Sequence, residues 1–137
     1  MSYRRTRHVV YLCNYHFVWI PKRRKPVLVG AIKRRLEQLI REIAEEYGWE
    51  ILALEIKPDH VYLFISAQPY WSPHIVLRRI KGRTSRVLRS EFPELLKLPS
   101  LWTRSYFVST AGQVSSETIQ KYIEEQGGKK WKGRIHS

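Results

Sequence analysis

Pro58 and Asp59 alone separate two runs of strand-forming residues, Trp49 to Lys57 and His60 to Ala67, and so short a connection makes those runs an antiparallel hairpin. With these two residues at the tip, Lys57 lies opposite His60, Ile56 opposite Val61 and Glu55 opposite Tyr62. Successive side chains of a strand point to opposite faces. Leu54, Ile56, Val61, Leu63 and Ile65 therefore share one face, and Glu55, His60, Tyr62 and Phe64 share the other.

The remaining chain supplies partners for that hairpin. Residues 9 to 20 are rich in Val, Tyr, Phe, Trp and Ile and read as a mostly buried strand closed by Pro21 and the basic run from Lys22 to Lys25. Residues 31 to 47 place Ile32, Leu36, Leu39, Ile40, Ile43, Ala44 and Tyr47 at steps of three and four, which predicts an amphipathic helix ended by Gly48. A second helix is expected over 74–90 from Val76, Ile80, Val87 and Leu88. Trp102 to Thr110 reads as the last strand. A final helix, capped by Ser115 with Glu117 in its first turn, runs to about Gln126 and is followed by a basic tail, 127–137. The order β α β β α β α in 137 residues without repeats predicts a single α+β domain. Its architecture is an antiparallel sheet with helices packed on one face, of the ferredoxin-like or RRM-like kind. Trp19, Trp49 and Trp102 are expected in the core.

Charge narrows the function classes. Twenty-five Lys and Arg against twelve Asp and Glu give a formal charge of +13, so polyanions are the natural partners. The charge is sorted along the chain. Residues 1–30 hold seven basic and no acidic residues, residues 31–50 four and five, and residues 71–110 eight and two. Arg4, Arg5, Arg7, Lys22, Arg23, Arg24, Arg78, Arg79, Lys81, Arg83 and Arg86 are the candidate phosphate contacts. Asp59 is the only aspartate, which disfavours two-metal nuclease chemistry. Cys13 is the only cysteine, so a cysteine zinc cluster and an intrachain disulfide are excluded and a reducing, cytoplasmic setting is expected. The basic and apolar N-terminal stretch is broken by Asn14 and His16 and lacks a cleavage site, and no run approaches the roughly 18 apolar residues of a membrane span.

Taken singly, the chemically interesting residues have plain readings. His60 stands just past the hairpin tip beside Asp59, with Tyr62 on its face. Tyr122 lies at helical spacing from Ile119, Ile123 and Gln126, where it fills an inward face beside the isoleucines. Gln126 is ordinary for a helix end. His16 reads as structural or DNA-contacting, and His8, His74 and His136 have no evident partners.

Together they carry a resemblance. Tyr15-His16-Phe17-Val18-Trp19 with Lys22 and Arg23, Pro58-Asp59-His60-Val61-Tyr62-Leu63, Leu77 to Leu88 with Lys81-Gly82-Arg83-Thr84-Ser85, Leu101-Trp102 to Gly112, and Tyr122-Ile123-Glu124-Glu125-Gln126 occur in an order and spacing that resembles the IS200/IS605 family of tyrosine transposases, a branch of the HUH single-strand nucleases. The resemblance implies an enzyme that cuts and rejoins single-stranded DNA through a 5′-phosphotyrosine, with one divalent metal ion. It makes Tyr122 the nucleophile, His60 the first histidine of the HUH pair and Gln126 the third metal ligand. It also implies hairpin-ended DNA as partner and a homodimer whose tyrosine helices complete each other's sites. The retained ester energy removes any need for ATP, in keeping with the absence of a GxxxxGK[ST] loop.

One position departs from that pattern. His60-Val61-Tyr62 stands where a second histidine is expected, and a neutral phenol with a pKa near 10 is a poor metal ligand. Glu55, across the hairpin from Tyr62, and Asp59, beside His60, are the candidate replacements, and their carboxylates suit Mg²⁺ or Mn²⁺. Two alternatives stand beside this reading. One is a weakened relative that binds DNA hairpins without strand transfer, and the other an RRM-type RNA-binding domain, which the lack of an RNP1-like run disfavours.

Overall fold

The structure of the protein is a computed structural model that describes residues 12–110, 112 and 114–127, the side chains of 126 and 127 excepted. Strand β1 (Cys13–Trp19) is followed by a 3-10 turn at Lys22–Arg24, helix α1 (Gly30–Tyr47), the hairpin β2 (Glu50–Lys57) and β3 (His60–Ala67), helix α2 (Pro73–Glu91), a second 3-10 turn (Pro93–Lys97), the short strand β4 (Phe107–Ser109) and helix α3 (Ser116–Gly127). The four strands form one antiparallel sheet in the order β2-β3-β1-β4. The α+β class, the element order and the antiparallel sheet are those expected, and so is the pairing at the hairpin tip, but the helices are not all on one face, since α3 lies on the face opposite α1 and α2. Lys57 pairs with His60, Ile56 with Val61 and Glu55 with Tyr62.

Side-chain alternation divides the interior in two. Phe17 and Trp19 of β1 and Val61, Leu63 and Ile65 of β3 face α1 and α2, where they meet Leu36, Ile40, Ile43, Leu77, Ile80 and Leu88 in the main core. Trp49 and Trp102 belong to the same core. Gly48 ends α1 in the left-handed conformation, with φ 76°, and its N–H returns to the carbonyls of Ala44 and Glu45. Two ion pairs tie the helices together across their exposed edges. Arg35 on α1 meets Glu91 on α2 at 2.9 Å, and Arg83 on α2 meets Glu46 on α1 at 2.9 Å.

The opposite sheet face is not left open along its whole length. Val18 and Ile20 pack there with Tyr122 and Ile123 of α3, flanked by Tyr62, Phe107 and Ile119. Thus α1 and α2 cover one face, while α3 lies on the other, held by a small apolar cluster of its own. Its start is the expected one, since the Ser115 Oγ accepts from the Thr118 N–H at 3.1 Å.

The last strand is much shorter than the expected 102–110. Only Phe107–Ser109 pair with β1, and Trp102 makes an isolated bridge to Pro21. The ladder is interrupted between them at 104–106, while the Lys22 N–H donates to the Leu101 carbonyl at 2.8 Å and the Thr103 N–H to the Ile20 carbonyl at 3.0 Å. Lys81 Nζ donates to the carbonyl oxygens of Thr103 at 2.8 Å and Arg104 at 3.4 Å, and the Trp102 Nε1–H donates to Thr84 Oγ1 at 3.0 Å. These bonds also dock the segment on α2. No helix among the described residues is long and apolar enough to cross a membrane.

Thr84 is fully buried and also donates to the Ile80 carbonyl at 2.7 Å. Thr84→Val keeps the shape but leaves the buried indole N–H without an acceptor. Urea denaturation is expected to show a loss of about 1–3 kcal/mol.

Candidate active site

The tip of the β2–β3 hairpin sets the position of His60. The Leu28 N–H donates to the Pro58 carbonyl at 3.0 Å, which pins the turn to the segment before α1. Asp59 then reaches both ways. Its Oδ1 lies 3.0 Å from His60 Nδ1, and its Oδ2 accepts from Arg24 Nε at 3.0 Å. Burial alone would raise the Asp59 pKa, but the hydrogen bonds from His60 and Arg24, with their charges, outweigh it and hold the carboxyl below its ordinary value. Arg24 is delivered by the 3-10 turn, where Arg23 and Arg24 both adopt left-handed backbone angles, φ 58° and 54°. Such angles are uncommon for residues with a side chain.

This arrangement gives Asp59 a different part from the one expected. Both carboxylate oxygens are engaged, one by the ring and one by the guanidinium, so Asp59 orients His60. Occupying Nδ1 leaves Nε2 as the ring nitrogen for a ligand, the usual relation between a carboxylate and a metal-binding histidine. Glu55 is exposed on β2 directly opposite Tyr62, as expected. Gln126 lies in α3 one turn beyond Tyr122. Among the described residues no three His, Cys, Asp or Glu side chains converge into a metal-binding group.

Tyr62 has a partner that the sequence pattern did not reveal. His16 on β1 is buried, its Nδ1 stands 2.7 Å from the Tyr62 hydroxyl, and its ring stacks on Phe64 at 4.0 Å. Burial, and then the charge of Glu55, raise the Tyr62 pKa, so the phenol stays protonated. His16 Nε2 is buried without a hydrogen-bond partner among the described residues. The pairing arises because β1 and β3 are neighbours, with His16 opposite Phe64 and Val18 opposite Tyr62. Strand neighbours of distant sequence position leave no local signal. A cleft of about 580 Å³ opens on this face between His16, Tyr62, Phe64 and the linker residues Gly112, Val114 and Ser115.

Tyr122 occupies the position its periodicity describes, inward on α3 beside Ile119 and Ile123. Its ring lies 6.0 Å from that of Phe107, and its hydroxyl is 3.4 Å from Ser105 Oγ. Burial pushes its pKa up to about 12, although the bond with Ser105 works in the other direction. The same apolar cluster includes Tyr62. Tyr122 is thus lodged on the sheet face that carries the residues around His60.

The candidate phosphate contacts separate by partner. Arg4, Arg5 and Arg7 lie outside the described residues. Arg24 is spent on Asp59 and Arg83 on Glu46. Arg79 lies over the rings of Tyr47 and Trp71, at 5.2 and 5.7 Å. Arg78 contacts His74 at 3.0 Å, and Lys81 reaches main-chain carbonyls. Lys22 and Arg23 stand on the 3-10 turn and Arg86 on an exposed position of α2. His74 has partners after all, since its Nδ1 is 3.3 Å from the Tyr106 hydroxyl.

The low Asp59 pKa fixes the sign of a pH effect. Its bonds to Arg24 and His60 add stability that is complete above the unfolded carboxylate range, near pH 4, and is lost as pH falls through the lower folded value. The denaturation midpoint of Asp59→Asn is expected to fall below that of the parent by a constant amount at neutral pH. That gap should close as the pH drops below about 4.

A family model described as IS200-like transposase matches residues 9–126, a stretch that includes His60 and Tyr122. The chain is 34% identical over 132 residues to the ISDra2 transposase TnpA of Deinococcus radiodurans, covering 94% of each protein. It is 30% identical over 122 residues to the transposase for insertion sequence element IS200 of Salmonella typhimurium, covering 87% of this chain and 80% of that one. Its structure resembles the crystal structure of a Deinococcus radiodurans protein assigned as a transposase, with a TM-score of 0.82, 37% identity and coverage of 90% and 97%. A REP-associated tyrosine transposase bound to a REP hairpin shares the fold at 15% identity, with a TM-score of 0.56 and coverage of 92% and 70%.

Proposed function

The chain belongs to the family of IS200-like transposases, and on that premise we propose that it cuts and rejoins single-stranded DNA at the ends of an insertion element with Tyr122 as nucleophile. The observation that carries this reading is the placement of the Tyr122 helix on the sheet face that also presents Tyr62 beside the oriented His60. The Tyr122 oxygen forms a bond to the scissile phosphorus while the bond from phosphorus to the 3′ oxygen breaks. The phenol gives up its proton, the departing oxygen gains one, and a 5′-phosphotyrosine and a 3′-hydroxyl result. Attack by a 3′-hydroxyl on that phosphotyrosine reverses the exchange and frees Tyr122. One ester replaces another at each step.

A phenol held near pKa 12 in an apolar cluster is neutral at physiological pH. Reaction therefore requires Tyr122 to leave that cluster for the phosphate, and the exposed Gly112 in the linker before α3 supplies a point of rotation. We assign the same linker the exchange of α3 between the two copies of a homodimer. The DNA partner is single-stranded and hairpin-ended, like the REP hairpin bound by the structural relative.

The donor set suits a hard divalent cation, Mg²⁺ or Mn²⁺. His60 is oriented by Asp59, Glu55 offers an exposed carboxylate opposite Tyr62, and Gln126 follows Tyr122 by one turn. Such ions bind through few protein ligands, with water and substrate phosphate completing the shell. Bound there, the ion would supply charge stabilisation for the scissile phosphate. Within the chain, Asp59 and Arg24 hold the imidazole, and His16 holds the Tyr62 hydroxyl. Tyr62 in place of a second histidine also favours the reading of a binding protein with weakened chemistry, and the two readings separate cleanly.

Labelled single-stranded DNA from the ends of the element, with Mn²⁺ or Mg²⁺, is expected to yield a covalent adduct on a denaturing gel, absent from Tyr122→Phe. An adduct that persists in Tyr122→Phe removes the nucleophile assignment, and tight binding without adduct under all conditions selects the weakened relative. Metal titration should show weaker affinity in His60→Ala. Equal affinity in both proteins would remove His60 from the metal site. Tyr62→His is expected to lower the metal concentration needed for half-maximal adduct formation by about tenfold or more.

A further inference from the structure

A second concave site lies between α2 and the segment 100–106, to which Lys81 is hydrogen-bonded. It is a pocket of about 510 Å³, and four cationic side chains line it, Lys22, Arg78, Lys81 and Arg104. No carboxylate is among its walls. Two other clefts differ in this respect. One sets Arg41 against Glu45 and Glu50, and another sets Lys33 and Lys57 against Glu37 and Glu55. The arginines that serve structural ion pairs, Arg24, Arg35, Arg41 and Arg83, point to their carboxylates elsewhere. An uncompensated basic concavity of this size is built to receive an anion.

Gly82 supplies an independent observation. It sits in the interior of α2 with ordinary helical geometry, and a Cβ added there would meet no atom within 4 Å. Glycine is a poor residue for a helix interior, and here neither backbone angle nor packing requires it. What its missing side chain does is leave the pocket wall bare, so that something outside the chain can approach the backbone closely. Leu77, Trp102 and Tyr106 give the pocket an apolar floor beneath the basic rim. Tyr106 is held by His74 at its hydroxyl, and Lys81 lies 5.7 Å from its ring centre. Charged groups at the rim and an apolar floor match a phosphate with its attached sugar.

We propose that this pocket seats one phosphodiester of the DNA backbone, with the phosphate on Arg78 and Arg104 and the deoxyribose passing over Gly82. That the anion is DNA rests on the transposase reading. Lys22 gives the seat its purpose. It lines the pocket at the start of the 3-10 turn whose third residue, Arg24, grips Asp59 against His60. One turn thus connects the backbone anchor to the oriented histidine, and a strand seated in the pocket enters the catalytic face in a defined register. Burial lowers the Lys81 pKa to about 8.

The test uses the full chain carrying Tyr122→Phe, so that no strand cleavage enters the readout. Its binding is measured to a hairpin with single-stranded flanks from the end of the element, and to a series in which one phosphate at a time is replaced by an uncharged methylphosphonate. The Tyr122→Phe parent is expected to lose about tenfold in affinity at one or two adjacent positions. With Arg78→Ala and Arg104→Ala added, affinity for the unmodified DNA should fall by about tenfold, with no further loss at those positions. The slope of log affinity against log salt should drop by about one to two. Gly82→Leu should weaken binding similarly while its melting temperature is unchanged or higher, an outcome that a purely structural glycine would not give. An identical methylphosphonate profile with and without the two arginines, or parental affinity in Gly82→Leu, overturns the pocket while leaving the transposase reading intact. Failure of the parent to bind any of these DNAs overturns both.

Discussion

A two-residue connection between two eight-residue strands is the constraint on which the rest of this molecule depends. Because Pro58 and Asp59 close the hairpin with no slack, the pairing of Lys57 with His60 is forced, and the pairs as far as Ala53 with Phe64 follow from it, before an irregularity between Ile51 and Ala53 shifts the register. A slip of one residue would turn Val61, Leu63 and Ile65 to solvent and bury His60 and Tyr62 under α1 and α2. The same turn places Asp59 where it can bond His60 and Arg24 together. The apolar core and the candidate active site are therefore two faces of a single register.

The sheet then distributes its two faces between stability and chemistry. The main core lies under α1 and α2 and holds the large apolar residues. The opposite face keeps polar and aromatic groups, His16, Tyr62 and Phe64, and is covered only in part by α3. A helix held by so small a cluster is among the elements that open at low free-energy cost, as the proposed movement of Tyr122 to a phosphate would need. The apolar surroundings keep the phenol protonated while it is docked, against the opposing effect of the Ser105 contact.

The positive charge is likewise divided by use. Among the described residues four arginines stand in ion pairs, and those on Asp59, Glu91 and Glu46 join distant elements of the fold. Others remain at the rim of the pocket beside α2, where no carboxylate meets them. A bare count of +13 treats these groups alike. Their partners separate a guanidinium that stabilises the fold from one that is available to DNA.

By itself the sequence determined the elements and the hairpin register, because these rest on local periodicity, caps and a short turn. It also carried the family resemblance, with Tyr122 and His60 at matching positions. Three features were decided only by the tertiary structure. The last strand shrank to Phe107–Ser109, while residues 101–104 bond both to the chain just beyond β1 and, through Lys81 and Thr84 some twenty residues away, to α2. Asp59 became the partner that orients His60 because Arg24 arrives from another segment to bind its second oxygen. His16 met Tyr62, and the basic pocket formed around Gly82, because antiparallel pairing and helix docking bring together side chains from distant parts of the chain. Periodicity reports which way a side chain faces, but what it meets there depends on contacts that no local pattern encodes.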